Sequence, residues 1–173
     1  MPGACDLTTG YSFTACATGV AGASELFIMP YDYVLTIAIT AGVVSAITKT
    51  TGQTFKQYKF KRDLAMFTDN GTKEVTNGTQ FYTPHFEASI LGWTSAMRSE
   101  LDLVAANSLI LIVKKRDGTY WLAGRDKGMD MLSWSAESGK AIGDFNGQNL
   151  VFEGKEAFRS VEVPSTLIAA LLV

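Results

Sequence analysis

Two stretches of two-residue alternation, 57–66 and 81–90, constrain the fold of this chain more than any other feature of its sequence. In each stretch the even positions are largely apolar and the odd positions largely polar, which is typical of a strand buried on one face. The residues between them include Asp69-Asn70-Gly71 and Asn77-Gly78, and both of these sequences favour turns. We therefore predict a long β-hairpin over residues 54–91.

The two faces of this predicted hairpin differ in chemistry. The even face, which we expect to pack on the body of the protein and on neighbouring copies, carries Tyr58, Phe60, Leu64, Met66, Tyr82, Phe86 and Ile90. The odd face carries Lys59, Lys61, Asp63, His85 and Glu87. Pro84 cannot donate a ladder hydrogen bond, so its place in the second strand predicts a sheet edge or a bulge there.

The rest of the chain predicts a mainly β fold with one α-helix. Met97, Leu101, Val104 and Ala105 form one apolar stripe of a helix that starts with Ser95 as N-cap and ends near Asn107. Ser108–Lys114 is apolar on both faces, which indicates the most central strand. The other predicted strands are Glu25–Met29, Tyr33–Ile39, Val43–Thr48, Thr119–Ala123, Met129–Trp134, Gln148–Glu153 and Phe158–Val163. The apolar tail, 167–173, is expected to dock on the body or on a neighbour.

Composition indicates one globular domain over residues 25–173, preceded by an N-terminal arm over 1–24. The chain has 173 residues, 47% apolar and 18% charged, which suffices for a single core. A formal charge of −2 offers no electrostatic argument for nucleic acid or an anionic membrane. The longest apolar run, Leu109–Val113, is too short for a membrane span, and the N-terminus lacks a secretory pattern. We expect folding in the cytosol.

The residues that could carry chemistry do not form a catalytic pattern. His85 could act with Glu87 as an acid–base pair, but a lone histidine on the polar face of a strand is more often solvated. Cys5 and Cys16 fit two reduced thiols better than a disulfide framework, although a disulfide could join them if residues 5–16 fold back on themselves. We expect neither an enzyme nor a cofactor.

Two charged clusters allow both a functional and a structural interpretation. Asp126, Asp130 and Asp144 could bind a cation, but loop aspartates are usually turn formers. The basic residues around the 114–127 hairpin could face nucleic acid, although a protected sheet edge is the commoner interpretation. These basic residues are Lys114, Lys115, Arg116, Arg125 and Lys127. Aromatic residues such as Trp93, Trp121 and Trp134 are expected in the core or at interfaces.

The order of elements resembles a known class of viral structural protein. Phe86–Gly124 runs strand, helix, buried strand, Asp-Gly turn and a strand ending in Trp-Leu-Ala-Gly. A loop with Ser-Gly and Gly-Asp and a closing strand, Asn149–Gly154, follow it, and Cys5-Asp-Leu-Thr-Thr-Gly-Tyr precedes it. This pattern is similar to that of major tail tube proteins of tailed bacteriophages and prophages of the Bacteroidetes.

The resemblance implies a β-sandwich or rolled β-barrel with a flanking helix and a long protruding hairpin. Such proteins form rings, here expected to be hexameric, that stack into a tube through which DNA leaves the capsid. The hairpin would place Lys59, Lys61, Asp63, His85 and Glu87 on the lumen, a lining of mixed sign that departs from a smooth anionic one. The implied partners are further copies, tape-measure, terminator and sheath proteins, and transient double-stranded DNA. The implied location is the virion tail, assembled in the cytoplasm of the host.

Other functions stay open at this point. The chain could be another virion ring protein, such as a tail terminator, a decoration protein or the tube protein of a contractile injection system. It could also be a monomeric β-barrel module that binds a small ligand in an apolar pocket lined by Tyr58, Phe60, Tyr82 and Phe86.

Overall fold

The computed structural model describes residues 20–173 and shows a mainly β protein. Eleven strands are present in the described part of the chain, with a short 3₁₀ turn, Tyr31–Tyr33, between the first two. The strands are β1 Ala23–Pro30, β2 Val34–Thr40, β3 Val43–Lys49, β4 Lys56–Lys59, β5 Ala65–Glu74, β6 Thr79–Leu91, β7 Leu109–Lys115, β8 Tyr120–Ala123, β9 Asp130–Glu137, β10 Gly147–Glu153 and β11 Val161–Val163. The helices are α1 Ser95–Ala105 and α2 Ser165–Leu171.

The strands form two sheets. Sheet A has seven strands in the order β2-β3-β11-β8-β7-β1-β4, and sheet B has four in the order β5-β6-β10-β9. All described pairings are antiparallel except that of β11 with β3. The end strands of each sheet have no partner on their outer side within residues 20–173, so neither sheet closes into a barrel there. The expected sheet-rich class is confirmed, and the rolled barrel is not observed in the single chain.

Two apolar clusters hold these layers together. The first fills the space between the sheets and includes Leu26, Leu111, Phe86 and Phe152. It also takes in Leu101 and Val104 of α1, which explains the apolar stripe on that helix. The second lies on the opposite face of sheet A, where α2 covers it with Ile168 and Leu171. Sheet A is therefore covered on both faces, whereas sheet B packs through one.

Strand β7 confirms the prediction of a central, doubly buried strand. Leu109, Ile110, Leu111, Ile112 and Val113 are all almost fully buried. The odd residues pack into the cluster between the sheets and the even ones into the cluster under α2. The Arg116-Asp117-Gly118 turn that follows β7 is also confirmed, with Gly118 at φ 90°.

The prediction of one continuous strand over residues 57–66 is wrong. Strand β4 ends at Lys59 in sheet A, and the chain crosses to sheet B before β5 begins at Ala65. The crossing contains a turn in which Asp63 has φ 64°, a left-handed conformation rare for a residue with a side chain. This turn shifts the alternation by one position, so Ala65 is buried and Met66 is exposed.

The predicted turn at Asp69-Asn70-Gly71 is also wrong. These residues lie inside β5, opposite Pro84, Thr83 and Tyr82 respectively. The ring of Tyr82 covers Gly71 so closely that a Cβ there would lie 3.1 Å from it, which explains a glycine inside a strand. The hairpin therefore turns only once, at residues 75–78 around Asn77-Gly78.

Pro84 lies in β6, between β5 and β10. The β10 ladder ends beside it, at the pair Glu153 and His85, and Gly154 then donates to the Pro84 carbonyl over 3.2 Å. The predicted edge is therefore local: β6 is an interior strand, and Pro84 lies where the β10 ladder ends on one of its sides. The other side stays paired with β5.

Several boundaries differ from those predicted. The N-cap of α1 is Thr94, whose hydroxyl accepts a hydrogen bond from the Met97 amide over 3.2 Å, so Ser95 is already helical. The tail docks on sheet A, on the body of the protein, and it does so as the helix α2. Its short apolar pattern did not predict a helix. Only Val161–Val163 of the predicted strand 158–163 is a strand. Of the predicted arm, Ala23 and Ser24 belong to β1, and residues 1–19, with Cys5 and Cys16, lie outside the described residues.

Candidate assembly surfaces

The outer half of the β5–β6 hairpin extends beyond the body of the protein. Every residue from 69 to 80 is exposed, although the two strands stay paired as far as Glu74 and Thr79. At about 3.3 Å per residue, the part beyond Asn70 projects on the order of 15 Å. A two-stranded ribbon of this kind is marginally stable alone, so its exposed faces are candidates for contact with other chains.

The segment 154–160, which we call the strap, fixes the base of this hairpin. Glu156 and Tyr82 exchange two backbone hydrogen bonds of 2.8 Å, and the Asp69 carboxylate accepts a hydrogen bond of 2.8 Å from the Ser160 amide. The Arg159 guanidinium lies 5.7 Å from the centre of the Tyr82 ring. These contacts hold the hairpin at one angle to sheet A.

Glu156 anchors the strap to the body. Its side chain is buried and accepts hydrogen bonds from the amides of Asp126 and Lys127, at 2.7 and 3.3 Å. Burial raises the pKa of this carboxyl group, and the nearby Asp126 carboxylate raises it too, while the two amide donors act in the opposite direction.

The outer face of sheet B, which points away from the core, is acidic. The strand registers place the odd residues of β6 and β10 and the even residues of β5 on this face. The register between β9 and β10 adds Glu137, Ser135 and Ser133 and, beyond a bulge, Asp130. The acidic residues on this face are Glu74, Glu87, Asp130, Glu137 and Glu153. Within the four strands as described, the face carries no lysine and no arginine.

Hydrogen bonds link the polar side chains of this face across the strands. Ser89 donates to Asn149 over 2.6 Å, and Asn149 donates to Glu137 over 3.3 Å. His85 Nδ1 lies 3.3 Å from a carboxylate oxygen of Glu153, and His85 Nε2 lies 4.0 Å from Glu87. The histidine thus sits between two carboxylates on a solvated sheet face.

The structure does not bring the five predicted lumen residues together. His85 and Glu87 lie on the outer face of sheet B. Lys59 is instead on β4 of sheet A, opposite Glu25, and Lys61 and Asp63 lie in the crossing between the sheets. The mixed sign expected for this face came from reading residues 57–66 as one strand; with the two lysines elsewhere, the face that contains His85 is acidic.

The predicted apolar contact residues also separate into groups. Phe60 and Phe86 are buried in the core with their ring centres 5.8 Å apart, and Tyr58, Leu64, Tyr82 and Ile90 are partly buried. Met66 lies on the outer face of sheet B, opposite Glu87, and is exposed. Which of these residues contact another copy stays a prediction.

Both edges of sheet B are open in the described residues. The edge strand β9 exposes two large apolar side chains, Leu132 and Trp134, the latter 55% exposed. On the opposite edge, β5 exposes Met66. An exposed edge strand with apolar side chains is typical of a surface that pairs with another chain. The sequence pattern did not single out β9 as an edge, because edge position depends on sheet order.

The residues considered for metal or nucleic acid binding have local roles. Asp144 accepts hydrogen bonds of 2.8 Å from the amides of Lys140 and Ala141, which lower the pKa of its carboxyl group. Asp130 accepts from Ser108 over 2.6 Å and Asp126 from Ala157 over 3.5 Å. Among residues 20–173 no cluster of three potential metal-ligating side chains occurs.

The basic residues of the 114–127 region are largely engaged within the chain. Lys114 pairs with Glu25 at 2.9 Å, and Lys115 pairs with Asp117 at 2.7 Å. Arg116 donates to the Lys61 carbonyl over 2.9 Å, and the Arg125 guanidinium lies 4.5 Å from the centre of the Phe158 ring. Lys127 is exposed.

The apolar pocket considered for a small ligand is nearly filled. Tyr58 and Phe60 line a cavity of about 10 Å³ between the sheets and α1, which is room for no more than one water molecule. Phe86 contacts Phe60 but does not line this cavity, and Tyr82 lies at the strap. The four aromatic residues therefore do not form one pocket.

Comparisons with protein-family models, with curated proteins and with solved structures find no match for this chain. No helix in the described part has the length and apolar character needed to span a membrane.

Proposed function

We propose that this chain is a structural subunit that closes into rings through sheet B and that the rings stack into a tube for double-stranded DNA, as in the tail of a bacteriophage. The observation that carries the proposal is the outer face of sheet B, which is acidic and lacks lysine and arginine in an open, four-stranded sheet. DNA binding to proteins depends largely on neutralising phosphates with lysine and arginine. A surface without these residues would let DNA pass without holding it.

The strand directions of sheet B suit closure by rotation. Its four strands are antiparallel, so the edge strands β5 and β9 run in opposite directions. When copies are related by rotation about an axis along the strands, β9 of one copy therefore meets β5 of the next in antiparallel orientation. Such a ring pairs both open edges and leaves none exposed.

The size of the ring can be estimated from strand spacing. The six copies implied by the resemblance supply four strands each, or 24 in total. At about 4.8 Å per strand, the circumference is about 115 Å and the diameter about 37 Å between backbones. Strand tilt widens the ring further. After the inward side chains are subtracted, the opening still admits a DNA duplex with its water.

A first experiment tests the ring. Leu132→Lys combined with Trp134→Lys places two charges on the β9 edge, whereas Leu103→Lys changes a similarly exposed leucine on α1. We expect the wild type and the α1 variant to form rings in negative-stain electron microscopy and the β9 variant to stay monomeric. Wild-type protein that stays monomeric at high concentration would overturn the proposal. Single rings that never stack would favour a tail terminator.

A second experiment tests the acidic face. Glu87→Lys combined with Glu137→Lys reverses two charges on the outer face of sheet B, and Asp32→Lys combined with Asp102→Lys makes the same change in net charge elsewhere. We expect rings of the first variant to retain double-stranded DNA in a salt-dependent manner, and rings of the wild type and the second variant to retain far less. Equal retention by both variants would show that the face does not meet DNA.

A further inference from the structure

Strand β2 is the end strand of sheet A within residues 20–173, and it lacks the usual protection of an edge. Residues 34–48, which span β2 and most of β3, contain no charged residue and no proline. Exposed edge strands normally carry charges or proline, which prevent pairing with other chains. The other edge of the same sheet, β4, carries Lys56 and Lys59. The uncharged edge of β2 is therefore the unusual one.

A groove of about 310 Å³ with a mixed apolar and polar lining runs beside β2. Leu35 is 61% exposed and Phe158 is 56% exposed, so two large apolar side chains of its lining face solvent. Leu35, Ile39 and Phe158 supply apolar lining, and Thr36, Arg125 and Asp126 supply polar lining. A strand added to an open edge gains main-chain hydrogen bonds and places alternate side chains in an adjacent pocket. The open edge of β2 and the groove beside it offer both of these contacts to an added strand.

The N-terminal segment has the composition of a strand that would fit there. Tyr11, Phe13 and Ala15 alternate with Ser12, Thr14 and Cys16. Asp6 is the only charged side chain among residues 1–19, so adding this segment to β2 would bury no charge between positions 7 and 19. Nineteen residues can span up to about 60 Å when extended.

The attachment point of this segment favours a neighbouring copy over its own. The Gly22 carbonyl accepts a hydrogen bond of 3.0 Å from the Arg116 amide, and a Cβ at Gly22 would lie 3.4 Å from the Ala65 carbonyl at the start of β5. The segment therefore starts at the β5 edge, where the proposed ring brings the next copy. Strand β2 of the same chain lies at the other end of sheet A, beyond β7, β8, β11 and β3.

We propose, on the basis of the ring assembly above, that residues 11–16 of one copy pair with the open edge of β2 in a neighbouring copy and place their apolar side chains in the groove beside it. This contact ties copies together independently of the edges of sheet B.

Disulfide trapping tests this directly, because the chain has only two cysteines. One species carries Cys5→Ser and keeps Cys16, and a second, tagged species carries Cys5→Ser, Cys16→Ser and Thr36→Cys. After mixing and mild oxidation, we expect a cross-linked heterodimer on a non-reducing gel. A matched control replaces Thr36→Cys by Ser99→Cys, on the exposed face of α1, and should give no cross-link above background.

The outcomes separate this proposal from the ring itself. Rings seen by electron microscopy without a cross-link at position 36 would overturn the docking of the arm and leave the ring intact. A chain with Cys16 and Thr36→Cys together that links only within itself would show that the arm docks on its own β2, which also overturns the proposal. A cross-link between copies that form no ring would support the contact and overturn the proposed closure through sheet B.

Discussion

Strand β7 and the tip of the β5–β6 hairpin are the two extremes of burial and pairing among the described strands. Strand β7 is buried on both faces and paired along both edges, so its burial and its hydrogen bonding are complete within the single chain. The hairpin tip is exposed on both faces, and within the described residues its two strands pair only with each other. The difference predicts that β7 contributes far more than the tip to the stability of the chain.

The largest effect is expected in β7. Ile112→Ala removes a fully buried side chain from the cluster under α2, where the surrounding side chains can collapse only in part. The free energy of unfolding should fall by about 2–5 kcal/mol, as measured by denaturant titration. A loss below about 1 kcal/mol would mean that this part of sheet A is not tightly packed and would weaken the contrast with the tip.

A smaller effect is expected where the hairpin meets the strap. Asp69→Ala removes the acceptor of the Ser160 amide and should cost about 1 kcal/mol of unfolding free energy. Hydrogen exchange of the Ser160 amide should accelerate at the same time. Asp69→Asn keeps one acceptor oxygen, so its free energy of unfolding should lie between those of the wild type and of Asp69→Ala. If alanine and asparagine are equally harmful, Asp69 acts in some other way than as this acceptor.

The contribution of Glu156, which anchors the strap, to the stability of the protein should depend on pH. Because the pKa of Glu156 is raised above its ordinary value of 4.5, its protonated form is favoured by folding. Its contribution to stability is therefore complete below the unfolded pKa and is lost as pH rises through the folded pKa. Glu156→Gln removes this component, so the Tm of the wild type should fall relative to that of the variant between pH 4 and pH 8. A constant Tm difference would contradict a raised pKa.

The smallest effect is expected at the hairpin tip. Val75→Ala changes a side chain that is 82% exposed, and it should alter the free energy of unfolding by no more than about 0.5 kcal/mol. Thermal unfolding of dilute protein measures this. A clearly larger cost would show that the tip already packs against the rest of its own chain, and the comparison with β7 would then fail.

The sequence predicted those parts of the fold that depend on local pattern. Strand β7 was predicted because five consecutive apolar residues are compatible with burial on both faces, and the 116–118 turn because Asp-Gly tolerates a left-handed backbone. The crossing at residues 60–64 was missed, because the alternation in that stretch also fits one continuous strand. Gly71 was read as a turn because its covering residue, Tyr82, is eleven positions away.

The candidate site was only half predictable for the same reason. His85 and Glu87 were placed on a polar strand face by alternation, which the register confirms. Their acidic neighbours Glu137 and Glu153 come from strands that sequence order does not place beside β6. The alternation of Asn149, Val151 and Glu153 could have suggested a second half-polar strand, but not its position in sheet B.

The strand directions of sheet B also bear on polarity. In a ring closed by rotation, every hairpin points the same way, so all the tips would project from one rim. The two rims would then be chemically different, one formed by the tips at residues 75–78 and the other by the ends of β6 and β10 near Leu91 and Gly147. A stack of such rings laid head to tail would itself be polar, so the proteins bound at its two ends would need different binding surfaces.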